Sequence, residues 1–208
     1  MSGWYDFDYF MTCRWPMRKK LQVFISSTFS DLIEERHAAV EAILRAGHIP
    51  TGTELFFSEV SLEFSKRWID ESDVFILILG GLYGTMLPDD SKSYTHWKYD
   101  YAGEIGKPRF AFVVTDEALR RKPYDFVTME TYQRLQEFKQ SVMETIPTYY
   151  ADDERHIKMV IRDQLPGYQR RDDLYGWFSG KEIPDVQKVL EENAKLKAEL
   201  EKLQTGNH

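Results

Sequence analysis

With 208 residues, 42% of them hydrophobic and 29% charged, the chain has room for one medium-sized core plus an appendage, and its composition excludes wholesale disorder. The 34 acidic side chains against 27 basic ones leave a net charge of −7, which argues against a nucleic-acid-binding face. No apolar run approaches the roughly 18 residues a membrane span needs, and a lone cysteine, Cys13, excludes an internal disulfide and a cysteine-rich zinc site. A reducing, cytoplasmic setting is the expectation.

Residues 1–16 are crowded with aromatics (Trp4, Tyr5, Phe7, Tyr9, Phe10, Trp15) without strand or helix periodicity, and read as a partly ordered arm. They lack the layout of a secretory signal, and Met17 is an alternative start. The main domain is expected over 17–180. Leu21 to Ser26 reads as a short buried strand, followed by a helix from about Asp31 to Ala46 in which Asp31 and Glu34 form a capping pair. Gly47 ends that helix, and a second strand runs from His48 toward Glu54. A helix over Leu62–Glu71 precedes Val74-Phe75-Ile76-Leu77-Ile78-Leu79, a continuous apolar run of the kind covered on both faces of a parallel sheet. Gly80-Gly81-Leu82-Tyr83-Gly84 then makes a turn that needs close backbone approach.

The next helix is predicted over Tyr94–Ile105, stopped at Gly106, and Phe110–Val114 is another central strand. Tyr124–Met143 reads as a long amphipathic helix, and Asp153–Leu165 as mixed strand or helix. The alternation of strand and helix predicts an α/β fold, a doubly wound, mostly parallel sheet with ligands at the carboxyl ends of its strands. From Val186 the apolar register steps by three and four through Val189, Asn193, Leu196, Leu200 and Leu203. This is a coiled-coil seam over 184–205, with Asn193 at an a position favouring a parallel homodimer. An amphipathic helix docked on its own domain is the alternative.

The hydroxyls and amides of Ser26, Ser27, Thr28 and Asp31 at a helix start suit a phosphate or carboxylate, although simple capping accounts for them equally well. The run is neither a glycine-rich dinucleotide fingerprint nor a Walker loop. Glu35 with Arg36 reads as a solvated helix face, Asp73 as a turn residue, and Arg120-Arg121-Lys122 as a solvated basic loop. Trp97 shares a helix face with Tyr101. His37, His48, His96 and His156 show no metal-ligand spacing, so no metal is expected.

Val23-Phe24-Ile25-Ser26-Ser27-Thr28-Phe29, with Asp31-Leu32 and Glu35-Arg36 after it, resembles the signature of the domain of unknown function four-zero-six-two. Pro50, Gly52, Glu54 and Phe56 also match its pattern. So do Ile69-Asp70 with Ser72-Asp73, Gly80-Gly81 with Tyr83-Gly84, and Ser93-Tyr94-Thr95 leading to Tyr99, Tyr101-Ala102 and Gly106-Lys107-Pro108. The resemblance covers about residues 21–180. It implies a fold similar to nucleoside deoxyribosyltransferases and TIR domains, and an association with prokaryotic defence and multidomain signalling ATPases.

The same resemblance implies a pocket for NAD or a nucleotide, with Ser26, Ser27, Thr28, Asp31, Gly80, Gly81, Tyr83 and Lys98 as ligand-binding residues. Relatives by fold cleave or exchange N-glycosidic bonds with a glutamate that should stand immediately before Tyr99, where this chain has Lys98. An ammonium there repels a developing oxocarbenium charge. Leu82 likewise stands where a polar or basic residue is expected. The resemblance with these departures implies a binding and assembly module with impaired or absent catalysis, partnered by a second copy and by a defence-system protein. The alternative is an active N-glycosidase or transferase working through Glu54.

Overall fold

The computed structural model describes residues 19–52, 62–122, 129–180 and 186–205. Five strands, β1 (Gln22–Ser27), β2 (Ile49–Thr51), β3 (Val74–Leu79), β4 (Arg109–Val114) and β5 (Thr148–Ala151), form one sheet in the order β2-β1-β3-β4-β5. Every pairing is parallel. This is the doubly wound arrangement predicted from the sequence, in its flavodoxin-like order, with the topological switch between β1 and β3.

All six residues of β1 and all six of β3 are buried, because helices cover both sheet faces. On one face α1 (Ile33–Arg45) and α6 (Glu154–Gln169) enclose Val23, Ile25, Ile76, Ile78, Phe110 and Phe112. On the other, α2 (Leu62–Glu71), α3 (Tyr94–Glu104) and α5 (Met129–Thr145) supply Ile69, Tyr99, Ala102, Leu135 and Phe138 against Phe24, Phe75 and Leu77. Phe24 and Phe75 are partners in register on neighbouring strands, and their rings stack at 5.5 Å. The period of two along a strand thus sorts β1 into two cores.

The helix α2 and the strand β3 have the limits the sequence predicts. Elsewhere the structure adds and corrects. The first helix begins two residues after Asp31, its N-cap position is Leu32, and no side chain caps it. The Asp31–Glu34 capping pair is not formed, because the Asp31 carboxylate is used elsewhere. The region expected to be mixed is a helix, α6, preceded by β5, a strand that the sequence pattern does not announce. A short α4 (Asp116–Arg120), capped by the Thr115 side chain, also follows β4. Thr115 further donates its hydroxyl to Asp152 at 2.8 Å, tying the carboxyl ends of β4 and β5.

Lys20–Trp177 makes one compact unit; the other comprises Met1–Lys19 and Phe178–His208. The aromatic arm over 1–16 lies outside the described residues. The described element of the second unit is α7 (Val186–Thr205), which spans the predicted heptads. Val189, Leu196 and Leu200 on it are exposed. No helix among the described residues is long and apolar enough to cross a membrane.

Candidate functional site

At the carboxyl edge of the sheet, the turn after β1 and the glycine turn after β3 are held together by one side chain. Asp31 is buried. Its Oδ1 accepts the Thr28 hydroxyl, and its Oδ2 accepts the backbone amides of Gly81 at 3.1 Å and Leu82 at 3.3 Å. Consecutive amides of this kind form an anion-binding concavity; here the anion is the chain's own carboxylate. The fit explains Gly80, since a Cβ on it would lie 2.5 Å from Asp31 Oδ2 and 2.8 Å from Leu32 Cδ2. It also accounts for Gly84, which has φ of +98° and would place a Cβ 3.2 Å from Thr28 Cγ2 and 3.3 Å from Thr95 Oγ1.

Apart from Ser26, the signature's remaining polar residues are spent in the same way. Arg36 is buried, and its guanidinium donates to Ser27 Oγ at 3.0 Å, to the Thr28 carbonyl at 2.9 Å and to the Phe29 carbonyl at 3.1 Å, beneath the Phe29 ring. Ser27 donates its hydroxyl to the Thr28 carbonyl. Lys122 reaches back to the Asp31 carbonyl at 2.6 Å and to Glu35 Oε2 at 2.7 Å, both side chains being largely buried. Glu35 and Arg36 are therefore not a solvated face. Lys122 is not a solvated loop residue either: desolvating these charges is tolerable only because each is paired.

A second cluster lies on the face of α2, α3 and α5. Tyr83 is buried, its hydroxyl shares a 2.8 Å hydrogen bond with His96 Nδ1, and His96 stacks on Phe138 at 3.9 Å. His96 Nε2 is 3.5 Å from Asp100, which Lys92 holds at 2.5 Å. Burial pushes the His96 pKa below its ordinary value and the Tyr83 pKa above its own. Tyr83 and Tyr99 both meet Phe138 edge to face, so these two rings belong to the core. Trp97 and Tyr101 stack on their shared helix face as expected.

Lys98 lies on the buried face of α3, beside Thr95, Tyr99 and Ala102 in the same buried set. Around that layer the hydroxyls of Ser26, Ser65 and Tyr99 are buried without hydrogen-bond partners. Ser26 shares the sheet face of Phe24, and Ser65 shares the helix face of Ile69, so all three hydroxyls belong to one layer. Lys139 on α5 is buried as well; desolvation draws its pKa down, against the pull of the Asp116 and Asp31 carboxylates at the same edge.

Of the residues predicted to bind a ligand, Ser27, Thr28, Asp31, Gly80 and Gly81 converge at this edge, where Asp31 bonds Thr28 and Gly81, while Tyr83 after the same glycine turn bonds His96. Ser26 and Lys98 belong to the adjoining layer. Glu54 lies outside the described residues. Asp73 is at the opposite edge, where it accepts the amides of Gln22 at 2.7 Å and Gly176 at 3.0 Å. Sequence reasoning missed Arg36 and Lys122 as clamps, Lys139 as a buried cation, and Ser65. Only Arg36 left a signal, its place in the signature; Lys122 meets partners far away in the chain. Among the described residues no three His, Cys, Asp or Glu side chains are grouped to hold a metal.

No curated protein matches the chain. Solved structures similar to it include the TIR domains in the activated Roq1 resistosome directly recognizing the pathogen effector XopQ. That match has TM-score 0.45 and 13% identity, over 69% of this chain and 99% of that one. The TIR domain heterodimer of RPS4 and RRS1 matches with TM-score 0.44 and 12% identity, over 71% and 98% of the two chains. A diflavin flavoprotein A3 from Nostoc sp. matches with TM-score 0.41 and 14% identity, over 76% and 97%. The model of one family covers residues 22–166, and the chain belongs to that family, the domain of unknown function DUF4062.

Proposed function

We propose that this chain is a nucleotide-pocket module that binds NAD or a nucleotide at the carboxyl edge of its sheet, turns it over poorly or not at all, and assembles through α7. Its setting is a prokaryotic defence or signalling system, and its partners are a second copy and a protein of that system. The observation that carries the reading is Lys98, buried on the inner side of α3 where the family resemblance leads one to expect the reaction's glutamate. A cation there favours a phosphate and opposes an oxocarbenium-like centre.

Two further features support binding over turnover. The carboxylates of Asp31 and Glu35 at this edge are committed to Gly81, Leu82, Thr28 and Lys122, which leaves them unsuited to act as nucleophiles. The unpaired hydroxyls of Ser26, Ser65 and Tyr99 are of the kind a ribose or amide ligand satisfies, and leaving each buried and unmade costs about 1–3 kcal/mol. The test is titration calorimetry with NAD, nucleosides and nucleotides, in parallel with chromatographic assay for released base. Binding without base release is expected. Rapid base release that Glu54→Gln abolishes, with the fold intact, overturns the reading in favour of a glycosidase or transferase.

A further inference from the structure

At the amino edge of the sheet, opposite the Asp31 clamp, an open cleft of about 650 Å³ lies between the ends of α2 and α3 and the segment after α6. That volume is within the range of small-ligand and side-chain receptors. Its wall is unusual in composition. Tyr175 is 84% exposed and Trp177 is 50% exposed, although neither ring is needed to close the core. Four carboxylates (Asp70, Glu71, Asp73 and Asp173) line the cleft against the single ammonium of Lys107.

The backbone reinforces this charge. Helix α2 ends at Glu71 and α3 at Glu104, so both carbonyl ends, the negative poles of the helices, converge on the cleft. The molecule already satisfies this potential once with its own cation: Lys107 donates its ammonium to the Asp70 carbonyl at 3.0 Å and to the Ser72 carbonyl. At the rim, Asp173 receives the Arg171 guanidinium through two bonds of 2.9 and 2.5 Å. Asp73 is saturated by two backbone amides. Glu71 is only loosely engaged, 3.7 Å from Arg67 and 46% exposed.

We infer that this cleft receives an arginine side chain from a basic segment of a partner protein, with the guanidinium stacked on Trp177 or Tyr175 and directed at Glu71 and at Asp70 Oδ2, Oδ1 of Asp70 already accepting the Tyr101 hydroxyl at 2.7 Å. Planar guanidinium suits both the aromatic faces and the carboxylates, whereas an acidic partner, a nucleic acid or an anionic membrane meets repulsion here. The cleft is independent of the nucleotide site proposed at the carboxyl edge.

The experiment uses the full chain and fluorescence anisotropy of a short labelled peptide of alternating arginine and glycine, with the citrulline counterpart as a neutral control. Binding of the arginine peptide is expected, with a loss of about tenfold or more in the pair Tyr175→Ala/Trp177→Ala and in the pair Asp70→Asn/Glu71→Gln. The pair Glu117→Gln/Glu137→Gln removes as much charge elsewhere and should change affinity by less than about twofold. Amide NMR shifts in the unaltered chain should centre on Ile105, Gly106 and Gly176, a readout that does not depend on any variant folding. Absence of binding, equal losses in the cleft and control pairs, equal binding of the citrulline peptide, or shifts centred elsewhere would each overturn the inference.

Discussion

The clearest physical lesson at the scale of the residue is that Asp31 is a clamp. A carboxylate between two turns accepts the Thr28 hydroxyl and the amides of Gly81 and Leu82, and it fills a concavity of the kind that cradles a phosphate. Asp31→Ala orphans one buried and one part-buried amide and should cost about 1–3 kcal/mol, read as a lower midpoint in urea unfolding. An unchanged midpoint would refute the clamp.

The histidines set a second residue-scale expectation. His48 Nδ1 accepts the Leu21 amide at 3.1 Å, which requires that nitrogen to be unprotonated, and burial lowers the pKa of both His48 and His96. When a histidine's folded pKa lies below its unfolded value, the unfolded chain takes up the proton first. The corresponding stability is complete above the unfolded pKa of about 6.5 and is lost as pH falls toward the folded value. Urea midpoints should therefore decline between about pH 7 and pH 5, and His48→Gln should flatten part of that slope. A flat profile in the unaltered chain would contradict the assignment.

Elements differ in how openly they show themselves in the sequence. The strand Val74–Leu79 is legible because burial on both faces demands an unbroken apolar run, and α2 because its apolar face repeats at helical spacing. The strand Thr148–Ala151 is an edge strand with Tyr150 exposed, so neither a continuous run nor a clean alternation marks it. The five residues of α4 are too few for any period. For α7 the heptad pattern carries the expectation, and Asn193 at an a position should specify a two-stranded parallel pair. Light scattering should give a dimer for the full chain and a monomer when Val186 onward is deleted; an unchanged mass would remove α7 from the assembly.

For the molecule as a whole, the question is whether the proposed site holds a ligand without turning it over. Lys98→Glu is the direct probe. If Lys98 replaces a catalytic glutamate and the rest of the pocket is retained, the variant should gain base release from NAD or a nucleotide over the unaltered chain. If that variant stays silent while binding persists, the residue at position 98 does not by itself decide turnover. The committed carboxylates at the edge then become the next suspects.

By itself the sequence determined the parallel α/β class, the order of the main strands and helices, the family signature and the heptad helix. Each of these is written in periodicity or in contiguous residues, which depend on local geometry. Only the tertiary structure decided what the polar residues do. Asp31 finds its amides 50 and 51 positions away, and its carbonyl meets Lys122 at a separation of 91. Those pairings exist because the β1–β3 crossover sets two turns side by side, and no local pattern encodes which buried charge a distant loop will supply. The turn that reads as a phosphate cradle is, in the folded protein, a clamp whose aspartate occupies the amides of the neighbouring glycine turn, Gly81 and Leu82.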